Sequence, residues 1–274
     1  MTGERSLQFG PLTFLDWDAP GWAFSELTDW FGTTPDKKDV VERPQQHGAF
    51  PTDHSLRSTK AISIRVSFRG ETGADVEEAF DQLSAVAAEG PVLLTANYPA
   101  GSTWRYVTAS VTPEDHFGLH IGQAVIHCIA RDPRRYATGA WVDTPLPSPG
   151  QGVVWPLTWP MVWPGGGSSG RITLVNNGKA PTDPSFVLPG GIGSALITCV
   201  ATGARVGFAR PVPAGSTVLI KNGHATLDGQ NVDRWLRYRE WTSIPGGMSR
   251  TFQFDATEPE GSPRLAGKAD HAWW

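Results

Sequence analysis

At 274 residues the chain is long enough for two domains of ordinary size, and 31 Gly, 23 Pro and 12 Trp with only 18% charged residues exclude a protein of long helices. The formal net charge of −4 gives no general affinity for nucleic acid, and no basic stripe reverses this locally. No stretch reaches the roughly 18 to 20 apolar residues of a membrane span, the N-terminus shows no basic-then-apolar leader, and Cys128 and Cys199, one in each half, imply reduced thiols and no disulfide framework.

In chain order, residues 6–15 read as two short strands around Gly10-Pro11. Residues 16–51 read as irregular but carry Trp17, Trp22, Phe24, Trp30 and Phe31, so they must pack on something, either their own core or another subunit. In residues 61–68, Ile62, Ile64, Val66 and Phe68 alternate with polar positions, the pattern of a half-buried strand. The period then changes. Val76, Ala79, Phe80, Leu83, Val86 and Ala87 fall on one helical face over residues 74–89, with Thr72 as N-cap, acidic residues in the first turns and Gly90-Pro91 as the stop. Strands are predicted at 92–97, 104–111 and 121–130, the last apolar on both faces and therefore central or pressed against the helix.

Residues 152–170 divide the chain and repeat Trp-Pro-x-x at Trp155, Trp159 and Trp163. In an extended backbone these three indoles share a face, while Pro156, Pro160 and Pro164 remove amide donors from one edge only, as in a protected edge strand. Burying three indoles of roughly 150 to 250 Å² at about 25 cal/mol per Å² contributes on the order of 10 to 15 kcal/mol at most, so Trp155, Trp159 and Trp163 are candidate inter-domain packing residues and residues 165–169 the hinge. The alternative is a stiff polyproline spacer.

Beyond it, strands at 171–175, 186–188, 195–200, 205–208, 217–221, 235–241 and 250–254 alternate with turn signals such as Asn177-Gly178 and Asn222-Gly223, the pattern of an antiparallel sandwich. Residues 257–271 are polar and read as a mobile extension ending in Trp273-Trp274. The fold class is thus mainly β: an N-terminal sandwich-like domain with one helix over residues 1–150, the Trp-Pro and Gly/Ser joint at 151–170, a second sandwich at 171–256, and an extension at 257–274.

Three stretches carry a family resemblance: Trp155-Pro-Leu-Thr-Trp-Pro-Met-Val-Trp-Pro, then Ile172-Thr-Leu-Val-Asn-Asn-Gly-Lys-Ala-Pro-Thr-Asp-Pro after the Gly/Ser patch, and Asp132-Pro-Arg-Arg-Tyr136 at the close of the first half. The chain resembles the distal tail proteins of long, non-contractile-tailed bacteriophages over about residues 1–255. The resemblance implies a structural, non-enzymatic virion protein assembled in the host cytoplasm. Its N-terminal domains would form a six-fold ring at the tail tip, and galectin-like C-terminal sandwiches would project outwards. The implied partners are other copies of itself, the tail tube protein, the tip hub and host-recognition proteins or a host-surface glycan; no cofactor is implied. A ring needs a head-to-tail interface that closes by rotation, and Trp22, Trp30 and Phe31 are the candidate anchors, against the alternative that they fill their own domain.

No residue pattern points to catalysis. Gly118 and Pro113 argue against a helix that would align His116 with His120 as a zinc pair, and His47 and His54 lack clustered ligands. The carboxylate pairs Glu114/Asp115 and Asp233/Glu240 have no spacing that places them across a sugar, no nucleophile elbow is present, and residues 164–170 lack the Lys-Ser/Thr ending of a phosphate loop. The rival function is a lectin-like module using Trp235, Tyr238 or Trp241.

Overall fold

The computed structural model describes residues 5–16, 21–37, 41–50, 56–114, 120–150 and 166–274. It divides into two compact units, Met1–Ala137 with Trp274, and Thr138–Trp273. The sequence places the first domain's end at residue 150, but β9 below belongs to the second unit. Trp155, Trp159 and Trp163 lie outside the described residues.

The first unit holds β1 (Ser6–Phe9), β2 (Leu12–Asp16), β3 (Gly21–Thr28), β4 (Lys60–Arg69), α1 (Gly73–Ala88), β5 (Val92–Tyr98), β6 (Gly101–Glu114), β7 (Ile121–Ala130) and β8 (Arg135–Ala137). Strands run in the order β8-β6-β5-β1-β2-β3-β4-β7, and β7 pairs again with β6. The fourteen-residue β6 makes this possible: its first half pairs with β5 and its second half with β7. The predicted sandwich is therefore one sheet closed into a barrel, which leaves no edge between β6 and β7.

α1 is the only α-helix among the described residues. Thr72 accepts from the Asp75 amide and the Asp75 carboxylate accepts from the Thr72 amide, a reciprocal cap that fixes the helix start where the sequence placed it. Its buried face, Val76, Ala79, Phe80, Leu83 and Ala87, joins the barrel core. Gly122 in β7 allows the close approach, because a Cβ there would lie 2.5 Å from Phe80 Cε2 and 2.7 Å from Val76 Cγ1.

β3 lies in the stretch read as irregular. A register shift between Phe24 and Glu26 breaks its alternation: Trp22 and Phe24 lie opposite Phe68 and Val66, but the next residue on that face is Leu27, opposite Ile64, and not Glu26, so the period-two signal is absent from the sequence.

The second unit comprises β9 (Val142–Pro145), β10 (Arg171–Asn176), β11 (Ser185–Leu188), β12 (Ser194–Cys199), β13 (Arg205–Phe208), β14 (Val218–Lys221), β15 (His224–Leu227), β16 (Gln230–Asn231), a 3-10 turn (Asp233–Trp235), β17 (Leu236–Arg237), β18 (Met248–Thr257), β19 (Arg264–Lys268) and β20 (His271–Trp273). Two antiparallel sheets, β10-β18-β12-β13-β17 and β16-β15-β14-β11-β19-β9, enclose a core in which the Phe186 and Phe252 rings meet edge-on at 5.1 Å. Two expectations fail here. Residues 235–241 form a 3-10 end and a two-residue strand, after which Tyr238 takes φ +49°. Residues 264–268, read as mobile, form β19 between β11 and β9, with Leu265 fully buried. Leu265 is the single large apolar residue of that strand, too weak a pattern to detect without its partners.

The stretch Asn176-Asn-Gly-Lys-Ala-Pro-Thr182 owes its composition to one side chain. Buried Asn176 donates through Nδ2 to the carbonyls of Ala180, Ile244 and Pro245, and its Oδ1 accepts from the amides of Gly178 and Ala272. A Cβ at Gly178 would overlap the Ala272 carbonyl, so only glycine fits. Ala180 and Thr182 are buried as the turn re-enters the sandwich.

Candidate functional site

Of the three predicted interface anchors, two belong to the core of their own unit. Trp30 is 1% exposed. Its indole Nε1 donates to Thr103 Oγ1 at 3.1 Å, and its ring lies under the Arg105 guanidinium, 4.6 Å from the centroid. Arg105, itself 1% exposed, donates to the carbonyls of Trp30 (2.8 Å) and Pro133 (3.3 Å). Burial lowers its pKa to about 10, with nearby Arg135 acting in the same direction and Asp132 opposing, so it remains a cation at neutral pH. Trp22 contacts the rings of Phe14, Phe68 and Phe80 at 5.1 to 5.5 Å. Trp22 is drawn inward because β3 pairs with β4 and sets it opposite Phe68, whereas Trp30, beyond the end of β3, is held by Thr103 and Arg105 of β6. Phe31 is different: it is 57% exposed, with Tyr98 and the Arg135 guanidinium beside it.

The stronger surface was missed. On β6, Arg105 and Val107 point inward and Trp104, Tyr106 and Thr108 outward. Register sets Leu93 of β5 opposite Tyr106, and Ile129 of β7 opposite Thr108. Leu93, Tyr106 and Ile129 are all exposed, Tyr106 at 56% and Ile129 at 50%. Trp104 continues the strip, edge-on to Tyr106 and stacked on Tyr136 of β8 at 5.0 Å. Two-faced apolarity in 121–130 is the available signal. The strand is central, as expected, with β4 on one side and β6 on the other, and α1 meets its inward side at Gly122 through Phe80 and Val76; Ile129, on the opposite face, stays exposed.

The Asp132-Pro-Arg-Arg-Tyr136 stretch is a local hydrogen-bonded knot. The Asp132 carboxylate accepts from the Arg134 amide and guanidinium and from the Tyr136 hydroxyl at 2.6 Å. Burial raises the Asp132 pKa, but the bonds from Arg134 and Tyr136 outweigh it and the net shift is downward. This contribution to stability is therefore present above the usual Asp range and is lost on acidification through the lowered folded-state value. The knot also fixes Pro133, whose carbonyl receives Arg105.

Among the described residues no group of three His, Cys, Asp or Glu side chains is arranged to hold a metal, and no helix is long and apolar enough to cross a membrane. His54, Asp115 and His116 lie outside the described residues. Glu114 pairs with Arg65 at 2.6 Å. Asp233 holds His224, Asn231 and the Ala225 amide, and Glu240 holds the Arg205 amide, so each of these carboxylates has a local structural partner. Of the lectin candidates, Trp235 is partly buried against the sandwich core, whereas Tyr238 and Trp241 are exposed.

Both cysteines are buried, and burial pushes the Cys128 thiol up to about 12. A thiol so far from ionisation is a poor nucleophile. Iodoacetamide at pH 8 is expected to leave both cysteines unmodified in the folded protein and to label both in denaturant, read by intact mass; rapid labelling of the folded chain would contradict the burial.

No protein-family model matches the sequence, and no curated protein matches it. Solved structures do. The crystal structure of the phage SPP1 Dit protein, described as a paradigm of the hub adsorption apparatus in phages infecting Gram-positive hosts, superposes with a TM-score of 0.64 at 11% identity, covering 98% of this chain and 99% of that one. This chain has the Dit fold. A chain of the phage P2 baseplate in its activated conformation with calcium gives a TM-score of 0.57 at 10% identity over 98% of both chains. The strontium form gives 0.57 at 10% over 96% and 97%. Because both chains of each pair are covered almost throughout, the Dit fold spans both units.

Proposed function

We propose that this chain is a non-enzymatic structural protein of a phage tail tip. Its first unit assembles into a closed, hexameric ring between the tail tube protein and the tip hub, and its second unit supports host-recognition proteins. Assembly takes place in the host cytoplasm and the product is a virion component; no cofactor takes part. The observation that carries this reading is the end-to-end likeness to the SPP1 Dit protein. The outer strip of Leu93, Tyr106 and Ile129 supports it as the apolar material a head-to-tail interface requires, with Phe31 the remaining anchor among those read from the sequence.

Mass photometry and negative-stain microscopy of the purified chain test the reading. The expected result is a six-copy ring, converted to monomer by Tyr106→Asp and Ile129→Asp with little change in melting temperature. Those positions are exposed, and surface substitutions usually shift stability by no more than about 0.5 kcal/mol. A monomeric wild-type chain, together with its absence from virion tail tips, would sink the proposal. That outcome favours the rival lectin-like module, which rests on exposed Tyr238 and Trp241.

A further inference from the structure

The second unit has a groove on the outer face of its five-stranded sheet. Register aligns Asp255, Leu196, Gly207 and Arg237 in one row across β18, β12, β13 and β17. Three strand spacings of about 4.8 Å set the two charged ends roughly 14 Å apart. Gly207 has no side chain, so the row dips at its centre, and a cavity of about 520 Å³ opens over it. That volume lies within the range of about 300 to 1,000 Å³ typical of small-molecule sites.

One wall is an aromatic ring held in place. Tyr238 adopts φ +49°, uncommon for a non-glycine residue, and its carbonyl accepts from the Glu240 amide at 2.7 Å. The turn lowers the ring over β13: a Cβ on Gly207 would lie 3.2 Å from Tyr238 Cδ2. The Arg205 guanidinium, 4.5 Å from the ring centroid, braces it and is itself paired with Glu240. The ring nevertheless remains 53% exposed. The far wall carries two hydroxyls, Ser194 and Thr257, bonded to each other at 2.8 Å. Asp255 and Arg237 are exposed, and neither makes a side-chain hydrogen bond or ion pair among the described residues.

We propose that this groove binds a short neutral oligosaccharide. The unpaired charges are one carboxylate and one guanidinium at opposite ends of the row, so the groove has no net charge from them and no pair of cations to clasp a multiply charged anion such as a nucleotide. Both are instead multivalent partners for hydroxyls, the carboxylate accepting and the guanidinium donating in a fork. The Tyr238 ring, seated over Gly207, and the Leu196 side chain offer an apolar surface to the C–H face of a pyranose, and the Ser194–Thr257 pair supplies hydroxyls that both donate and accept. A ligand with one apolar face and a polar rim of hydroxyls matches this arrangement; a purely apolar ligand would leave Asp255 and Arg237 unused. The inference is independent of ring assembly, since it concerns the second unit alone.

Saturation-transfer NMR on the full-length wild-type chain with maltotetraose, cellotetraose and chitotetraose tests it. At least one of the three is expected to bind saturably. Asp255→Asn, which preserves shape at an exposed position, and Tyr238→Asn, which removes the ring but suits the left-handed backbone, are each expected to weaken that binding about tenfold or more. Thermal unfolding of both variants verifies the fold, and D255N keeps the test decisive if Y238N is destabilised. No binding of any of the three sugars, or binding by D255N within about twofold of wild type, overturns the proposal. Neither result bears on ring assembly, which is read separately by copy number.

Discussion

Trp30→Ala is expected to lower the unfolding free energy of the first unit by about 3 to 5 kcal/mol, the range for truncating a fully buried large aromatic. Three losses act together. The core loses an indole that is 1% exposed, Thr103 Oγ1 loses its donor, and the Arg105 guanidinium loses the ring beneath it and faces a cavity. With total domain stability commonly about 5 to 15 kcal/mol, the loss is a large part of the whole. Trp30→Phe retains most of the apolar contact and forfeits the indole hydrogen bond, so a smaller loss of about 1 to 2 kcal/mol is expected. The neighbouring Phe31→Ala, at an exposed site, is expected to change stability by about 0.5 kcal/mol or less. Denaturant titration of the three variants measures the contrast. Equal effects at positions 30 and 31 would show that Trp30 does not have the core role described.

Asn176→Asp is expected to cost the second unit about 3 to 5 kcal/mol at pH 7, although it changes one atom. The wild-type amide nitrogen faces three carbonyl oxygens, and a carboxylate would turn an acceptor towards all three. The retained oxygen still accepts from Gly178 and Ala272, so the change isolates the donor side. The pH dependence has a definite sign. Burial among carbonyls raises the introduced acid's folded-state pKa above its unfolded value, so the penalty is largest near neutrality and shrinks as pH falls towards the unfolded carboxylate range. Urea unfolding at pH 7 and pH 4.5 reads this directly; equal destabilisation at both pH values would contradict a buried donor role.

These two residues illustrate what was legible. The Asn-x-Gly-x-Ala-Pro-Thr stretch was visible as part of a family resemblance, but its reason was not. Asn176 joins chain segments 68 and 96 residues away, and no local pattern carries that information. Trp30 was visible as an aromatic in need of a partner. Its partner, Arg105, stands in the inward-facing row of a strand, where an alternation reading expects an apolar residue. Helix α1, by contrast, was readable to within a residue, because its cap and its period are local properties. The outer strip of Leu93, Tyr106 and Ile129 was not legible as a surface, since its three members come from three strands whose adjacency only the barrel creates. The groove was half legible: Tyr238 stood out as an aromatic, while Asp255, Leu196, Gly207 and Arg237 meet only through register.

The sequence by itself determined the mainly-β class, the one helix with its cap, and the positions of most strands, because hydrophobic period, capping and turn chemistry act over a few residues. Tertiary structure alone decided that the first sheet closes through the shared strand β6, and that β9 and β19 join the second unit. It also decided that Trp22 and Trp30 face inward while Phe31, Tyr106 and Ile129 face out. These outcomes depend on which strands pair and on which face each sheet buries. Both are fixed by contacts between residues far apart in the chain, whose free energy exists only once the whole core has formed.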